Sequence, residues 1–250
     1  LDDEDLLRHT AAQSLVVADP AERVSLLAPL LFDSVLAVRL AAVSLLAGTP
    51  EELFKSYQLD AYREALDEYV TTMKYSLDFA FAGLNLGNLY SRLGDNDQAE
   101  AYYRRAIAVD DLFAPAKANL AVLLSAKGEL AEAEQLLREV IEAYPENFDM
   151  AYMLALLLVE LQRPDEALVF LESAANGMPR NSRAWYNLGL LRQSLGREAE
   201  ARSALIAALE LEPTNPDYLY ALADFYVKRG RFEEALPIAK RLAVALPGAD

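Results

Sequence analysis

Residues 182–213 read SRAWYNLGLLRQSLGREAEARSALIAALELEP, and their spacing returns every 34 residues. With Ser182 as position 1, Leu188 stands at 7, Gly189 at 8, Gly196 at 15, Ala201 at 20, Leu205 at 24, Ala208 at 27 and Pro213 at 32. Steps of 34 give five starts, at Ala80, Ala114, Phe148, Ser182 and Pro216, with no insertion or deletion between them. Position 7 is always leucine (Leu86, Leu120, Leu154, Leu188, Leu222). Position 8 is always small (Gly87, Ala121, Ala155, Gly189, Ala223), and position 20 is always alanine (Ala99, Ala133, Ala167, Ala201, Ala235). Position 32 is Pro145, Pro179, Pro213 and Pro247 in four copies and Asp111 in the first.

Close approach of two helices explains the pattern. Small residues at 8, 20 and 27 let the first helix of a copy (helix A) lie against the second (helix B), and large residues at 4, 7, 11 and 24 fill the flanks. A larger group at 8 or 20 would overfill the contact, at about 1–3 kcal/mol each. Glycine at 15 (Gly94, Gly128, Gly196, Gly230) ends helix A in a left-handed cap. In the third copy Gln162 stands there, and Pro164 opens helix B instead.

The pattern W-x2-L-G-x2-Y, then A-x3-F-x2-A, then P, resembles the tetratricopeptide repeat, matched by Trp185, Leu188, Gly189, Ala201, Leu205, Ala208 and Pro213. The one clear departure is Arg192, where an aromatic is usual. The resemblance implies an all-α fold, a right-handed α-solenoid of helix–turn–helix repeats. The repeats are 80–113, 114–147, 148–181, 182–215 and 216–250.

The N-terminal stretch is out of phase with this period. Asp2, Arg8, Ala11 and Leu15 recur 31 residues later as Asp33, Arg39, Ala42 and Leu46. This resembles the HEAT repeat, in which such an Asp and Arg form a ladder along the stack. Residues 1–49 are thus predicted to be HEAT-like, with Ala21–Phe32 and Ser34–Ala47 as the helices of the complete copy. A start at Leu1, with no initiator Met or basic leader, is expected of a trimmed chain. Thr49-Pro50-Glu51-Glu52 signals a new helix, and residues 50–79 read as an adaptor pair, 51–59 and 60–77. Ala65 and Tyr69 precede Ala99 and Tyr103 by 34, so the second of these helices mimics helix B and is expected to cover the apolar face of 80–92.

Composition narrows the function. Of 250 residues 54% are apolar, enough for a sizeable core built repeat by repeat. A net charge of −16 repels phosphate backbones and anionic membranes, which argues against nucleic-acid binding. No apolar run approaches the roughly 20 residues of a membrane span. With no Cys and one His, His9, there is no disulfide framework, no thiolate metal site and no relay of imidazoles. Phosphate-binding loops, nucleophile elbows and zinc-protease motifs are absent, so no catalytic residue, metal or cofactor is expected.

By resemblance to the family, the concave wall of the array is lined by helix A positions 2, 5, 6, 9, 12 and 13. Its candidate peptide-binding residues are Leu84, Asn85, Asn88, Asn119, Tyr152, Tyr186, Asn187 and Tyr220. An asparagine both donates and accepts, so spaced asparagines suit the backbone of a peptide. The clamp by which some relatives hold a terminal carboxylate needs Lys or Arg at positions 5 and 9, which this chain lacks. Arg92, Arg183 and Lys228 occupy other groove positions. The reading is a non-catalytic scaffold that holds a peptide segment or a helix of a protein partner. The alternative rests on a weaker resemblance, of HEAT-like helices running into tetratricopeptide repeats, to the C-terminal region of bacterial multihaem c-type cytochromes. The haem-bearing part would then lie outside this chain and the compartment would be periplasmic or extracellular, otherwise cytoplasmic. On the last helix, Leu236, Ala239, Ala243 and Leu246 share one stripe, which predicts end-to-end self-association or docking of another segment.

Overall fold

A computed structural model of the chain describes residues 3–14 and 19–246; Asp2, Leu15 and Pro247, singled out above, lie outside the described residues. Among the described residues there are fourteen α-helices, two 3₁₀ turns and no strand. The helices are α1 (Asp3–Gln13), α2 (Pro20–Leu27), α3 (Leu36–Leu46), α4 (Ser56–Tyr75), α5 (Ala80–Arg92), α6 (Asn96–Val109), α7 (Ala114–Lys127), α8 (Leu130–Ala143), α9 (Phe148–Glu160), α10 (Pro164–Gly177), α11 (Ser182–Ser194), α12 (Glu198–Leu211), α13 (Pro216–Val227) and α14 (Phe232–Ala245). From α5 onward they alternate as helix A and helix B of the five repeats. The residues cluster into two compact units, Leu1–Leu123 and Leu124–Asp250.

In the first unit, Val24, Leu27, Leu31, Ala42, Leu46, Tyr62, Ala65 and Tyr69 join Leu86 and Leu89 of α5 in one core. The expected helix 21–32 is divided. Asp19 caps α2 by accepting the Glu22 N–H at 2.7 Å, but from Ala28 the backbone tightens into a 3₁₀ turn running to Phe32. Pro29 has no N–H to continue an α ladder, which accounts for the change. Asp33 Oδ1 then accepts the Val35 N–H at 2.8 Å and holds Val35 extended, so α3 begins at Leu36 rather than Ser34.

Arg8 donates to Asp33 at 2.8 Å, joining the arginine of one 31-residue copy to the aspartate of the next. Arg39 binds the Asp33 carbonyl at 2.9 Å and pairs with Glu68 of α4 at 2.8 Å. The Asp33 carboxyl is held below its usual range by the Val35 N–H and by Arg8. That of Glu68 is lowered by Arg39.

The expected pair at 51–77 is one helix. Glu51–Leu53 makes a single 3₁₀ turn, Phe54 is extended with its ring 5.1 Å from that of Tyr62, and α4 starts at Ser56. Burial of Phe54 fixes the chain before a longer helix forms, and Gln58 Oε1 accepts the Lys55 N–H at 3.0 Å to open α4. Ala65 and Tyr69 are buried, as are Ala99 and Tyr103 one period on.

The second unit stacks the hairpins α9–α10, α11–α12 and α13–α14 after α8. Ala155, Ala167 and Ala201 are wholly buried and Ala235 nearly so. A Cβ added at Gly189 would lie 2.7 Å from Leu205 of α12, the crowding expected for position 8. Asn147, Asn181 and Asn215, 34 residues apart, each cap a helix A by accepting a backbone N–H.

The turn between α9 and α10 departs from the sequence reading. Gln162 takes the left-handed conformation itself, at φ 58°, as Gly196 does at 73°, and Pro164 opens α10 in addition. A side chain in that region costs roughly 1–2 kcal/mol, offset partly by the greater unfolded-state freedom of glycine. Gln162→Gly is therefore expected to raise stability by up to about 1 kcal/mol. A midpoint of urea unfolding that stays put or falls would contradict this.

Candidate functional site

The eight groove candidates fall into two groups, one in each unit. In the first, Asn88 Oδ1 accepts both the Tyr103 hydroxyl at 2.9 Å and the Asn119 amide at 2.7 Å, linking α5, α6 and α7. The Asn85 amide faces Met73 Sδ of α4 at 3.6 Å, and Leu84 is half-buried. Three of these residues are thus tied to neighbouring helices, which the sequence reading did not anticipate. These bonds use the Asn88 carbonyl oxygen and the Asn119 amide, and leave out the Asn119 carbonyl oxygen and the Asn88 amide hydrogens.

In the second unit the Asn187 amide donates to the Tyr152 hydroxyl at 2.7 Å, spanning α9 and α11. Tyr186 packs its ring 4.8 Å from that of Tyr218, and Tyr218 in turn meets the Ser182 hydroxyl at 3.1 Å. Tyr220 is 63% exposed. Burial pushes the Tyr152 and Tyr186 phenols up, so both stay protonated near neutrality. Tyr152 then accepts from Asn187 and still has its own hydrogen to give.

Residues four and seven further along the same helices extend this face. Leu156 and Val159 follow Tyr152, Leu190 follows Tyr186, and Val227 follows Tyr220; all four are exposed. Such spacing puts them on one helical stripe. Leu156 and Leu190 stand at position 9 of their repeats, and Val159 and Val227 at position 12, both groove positions by resemblance to the family.

Arg192, the departure from the family pattern, serves a structural end. It is largely buried and reaches Glu172 of α10 at 3.0 Å and Glu200 of α12 at 3.6 Å, tying its own repeat to the one before. Leu236, Ala239 and Ala243 of α14 and Leu246, its cap residue, are all exposed. The opposite side of α14 lines a cleft of about 510 Å³ with Leu209, Leu222, Tyr226, Ile238 and Arg241, and Arg241 donates to the Pro213 carbonyl at 2.7 Å. Among the described residues no cluster of three or more metal-capable side chains occurs, and no helix is long and apolar enough to cross a membrane.

Comparison with known proteins agrees with the repeat. One tetratricopeptide repeat family model matches residues 124–193 and 193–249, and a second matches 84–148. No curated protein matches the sequence. Among solved structures the chain is similar to YrrB, described as a TPR protein with an unusual peptide-binding site. The identity is 25% over 72% of this chain and 93% of that one, with a TM-score of 0.61. It is similar to an AMB-1 MamA at 27% identity over 68% of this chain and 93% of that one, TM-score 0.59. MamA of Desulfovibrio magneticus RS-1, at 20% identity over 68% and 97% and a TM-score of 0.62, shares the fold. Nothing here supports the cytochrome resemblance. The first family model alone accounts for half of the sequence, and the chain belongs to the tetratricopeptide repeat proteins.

Proposed function

We propose that this chain is a non-catalytic scaffold that holds a peptide segment of a protein partner in the groove lined by its A helices. The observation that carries the reading is the row of Tyr152, Tyr186 and Tyr220. It recurs on three successive A helices, is tied by Asn187, and is flanked by exposed Leu156 and Leu190. Aromatic and aliphatic side chains supply contact area, and the phenols and amides supply direction. The peptide-binding site named for YrrB gives independent support. The charge of −16 and the lack of a basic stripe favour a protein partner over nucleic acid.

Selection from a displayed peptide library, followed by fluorescence anisotropy with the best binder, tests this. Tyr220→Ala removes an exposed side chain and is expected to weaken binding about tenfold with no change in melting temperature. Asn187→Ala should weaken binding and also cost about 0.5–1.5 kcal/mol of stability, through its lost bond to Tyr152. Selected peptides that ignore both substitutions would place the binding surface elsewhere.

A further inference from the structure

Three charged side chains stand three residues ahead of the three tyrosines, in the first turn of each helix. Asp149 precedes Tyr152, Arg183 precedes Tyr186 and Asp217 precedes Tyr220. Residues three apart on a helix are neighbours, so each charge flanks its tyrosine. All three charged residues are exposed, and none forms an ion pair among the described residues. Of the groove's other charges in this unit, Asp224 holds Lys228 at 2.8 Å, and Glu160 stands at the opposite end of α9 from Asp149.

The two aspartates have a local explanation, because a first helical turn favours negative charge. Arg183 does not: there it opposes the helix dipole, in a chain with 39 acidic and 23 basic residues. It forms no bond that would account for it, although its charge is felt at Tyr152 and Glu212. The face therefore presents negative, positive, negative along three successive helices. Successive A helices meet through their side chains, Asn187 with Tyr152 at 2.7 Å and the ring of Tyr186 with that of Tyr218 at 4.8 Å, which sets the helices roughly 10 Å apart. An extended chain advances about 3.3 Å per residue, so about three peptide residues span one repeat.

We propose that this face takes an extended peptide segment whose charges alternate basic, acidic, basic at three-residue intervals, with apolar side chains between them. The proposal rests on the reading of the tyrosine row as a peptide surface. The apolar residues meet Leu156, Leu190 and the tyrosine rings, while the two basic residues oppose Asp149 and Asp217 and the acidic one opposes Arg183. A basic–acidic–basic order reads the same from either end, so it selects composition and spacing rather than chain direction.

The test uses the full chain and fluorescein-labelled peptides: Lys-Leu-Tyr-Glu-Leu-Tyr-Lys, its charge inverse Glu-Leu-Tyr-Lys-Leu-Tyr-Glu, and the same frame with Gln at the three charged sites. The first is expected to bind about tenfold more tightly than the inverse, with the glutamine peptide between, an advantage that salt reduces. Arg183→Glu, which suits the helix dipole and should leave the fold intact, is expected to turn the preference toward a fourth peptide, Lys-Leu-Tyr-Lys-Leu-Tyr-Lys. Equal affinity of the three peptides, still lost in Tyr220→Ala, would overturn the charge pattern and leave the peptide surface standing. Failure of every peptide to bind, or binding indifferent to Tyr220→Ala, would overturn both.

Discussion

Replacing Gly87 by leucine is expected to destabilise the first unit by about 3 kcal/mol or more, at the upper end of what overfilling a core usually costs. A Cβ at this position already lies 2.4 Å from the Tyr103 ring. That ring cannot move away easily, being 3% exposed and held through its hydroxyl to Asn88. Ala201→Leu, at a wholly buried site in the second unit, should cost about 1–3 kcal/mol. Glu200→Ala, beside it, removes an exposed carboxylate 3.6 Å from Arg192 and 3.9 Å from Arg197 and should cost under about 1 kcal/mol. Urea unfolding of the three variants ranks them. Equal losses would mean that the small residues at positions 8 and 20 are not what lets the helices meet.

The second large effect is expected at Gly48, between α3 and the turn at Glu51–Leu53. It has φ +78°, and a Cβ there would sit 2.2 Å from the backbone carbonyl oxygen of Arg92. Arg92 is fixed from its other end, its guanidinium donating to the Ser44 carbonyl. Gly48→Ala therefore combines a left-handed alanine, roughly 1–2 kcal/mol, with a backbone clash, and about 2–4 kcal/mol in all is expected. Gly94→Ala is the control: its φ is +81° but nothing lies within 4 Å of the added carbon, so only the conformational cost applies. Should the two variants melt alike, the approach of Arg92 to Gly48 contributes nothing.

Gly48 also marks where reading the sequence stopped short. In the string Ala-Gly-Thr-Pro it shows a boundary, but nothing there reveals that a carbonyl 44 residues later will lie against it. The repeats were legible because one contact recurs five times, and its demands on positions 7, 8 and 20 are steric and hence specific. The adaptor pair was misjudged because Pro50, Glu51 and Glu52 are equally good openings for an α-helix and for a single 3₁₀ turn. Burial of Phe54 on Tyr62 decides between them, and that is a tertiary fact. Among the groove residues, positions 5 and 6 were readable as places. The Asn119–Asn88 and Asn187–Tyr152 bonds were not, since they depend on how one repeat meets the next. Arg192 stood out as an exception, and its reason, Glu172, sits in the preceding repeat.

The bonds that join neighbouring repeats in the second unit have short reach along the chain. Tyr152 to Asn187 spans 35 residues, Ser182 to Tyr218 spans 36, Glu172 to Arg192 spans 20 and Pro213 to Arg241 spans 28. No tie in this set waits for a residue more than about one period away. During synthesis the partners of these bonds are all present once the next repeat has left the ribosome, and contacts this local close quickly. The same economy of sequence distance that makes the repeat readable on paper lets folding spread from one repeat to the next without waiting for distant parts of the chain.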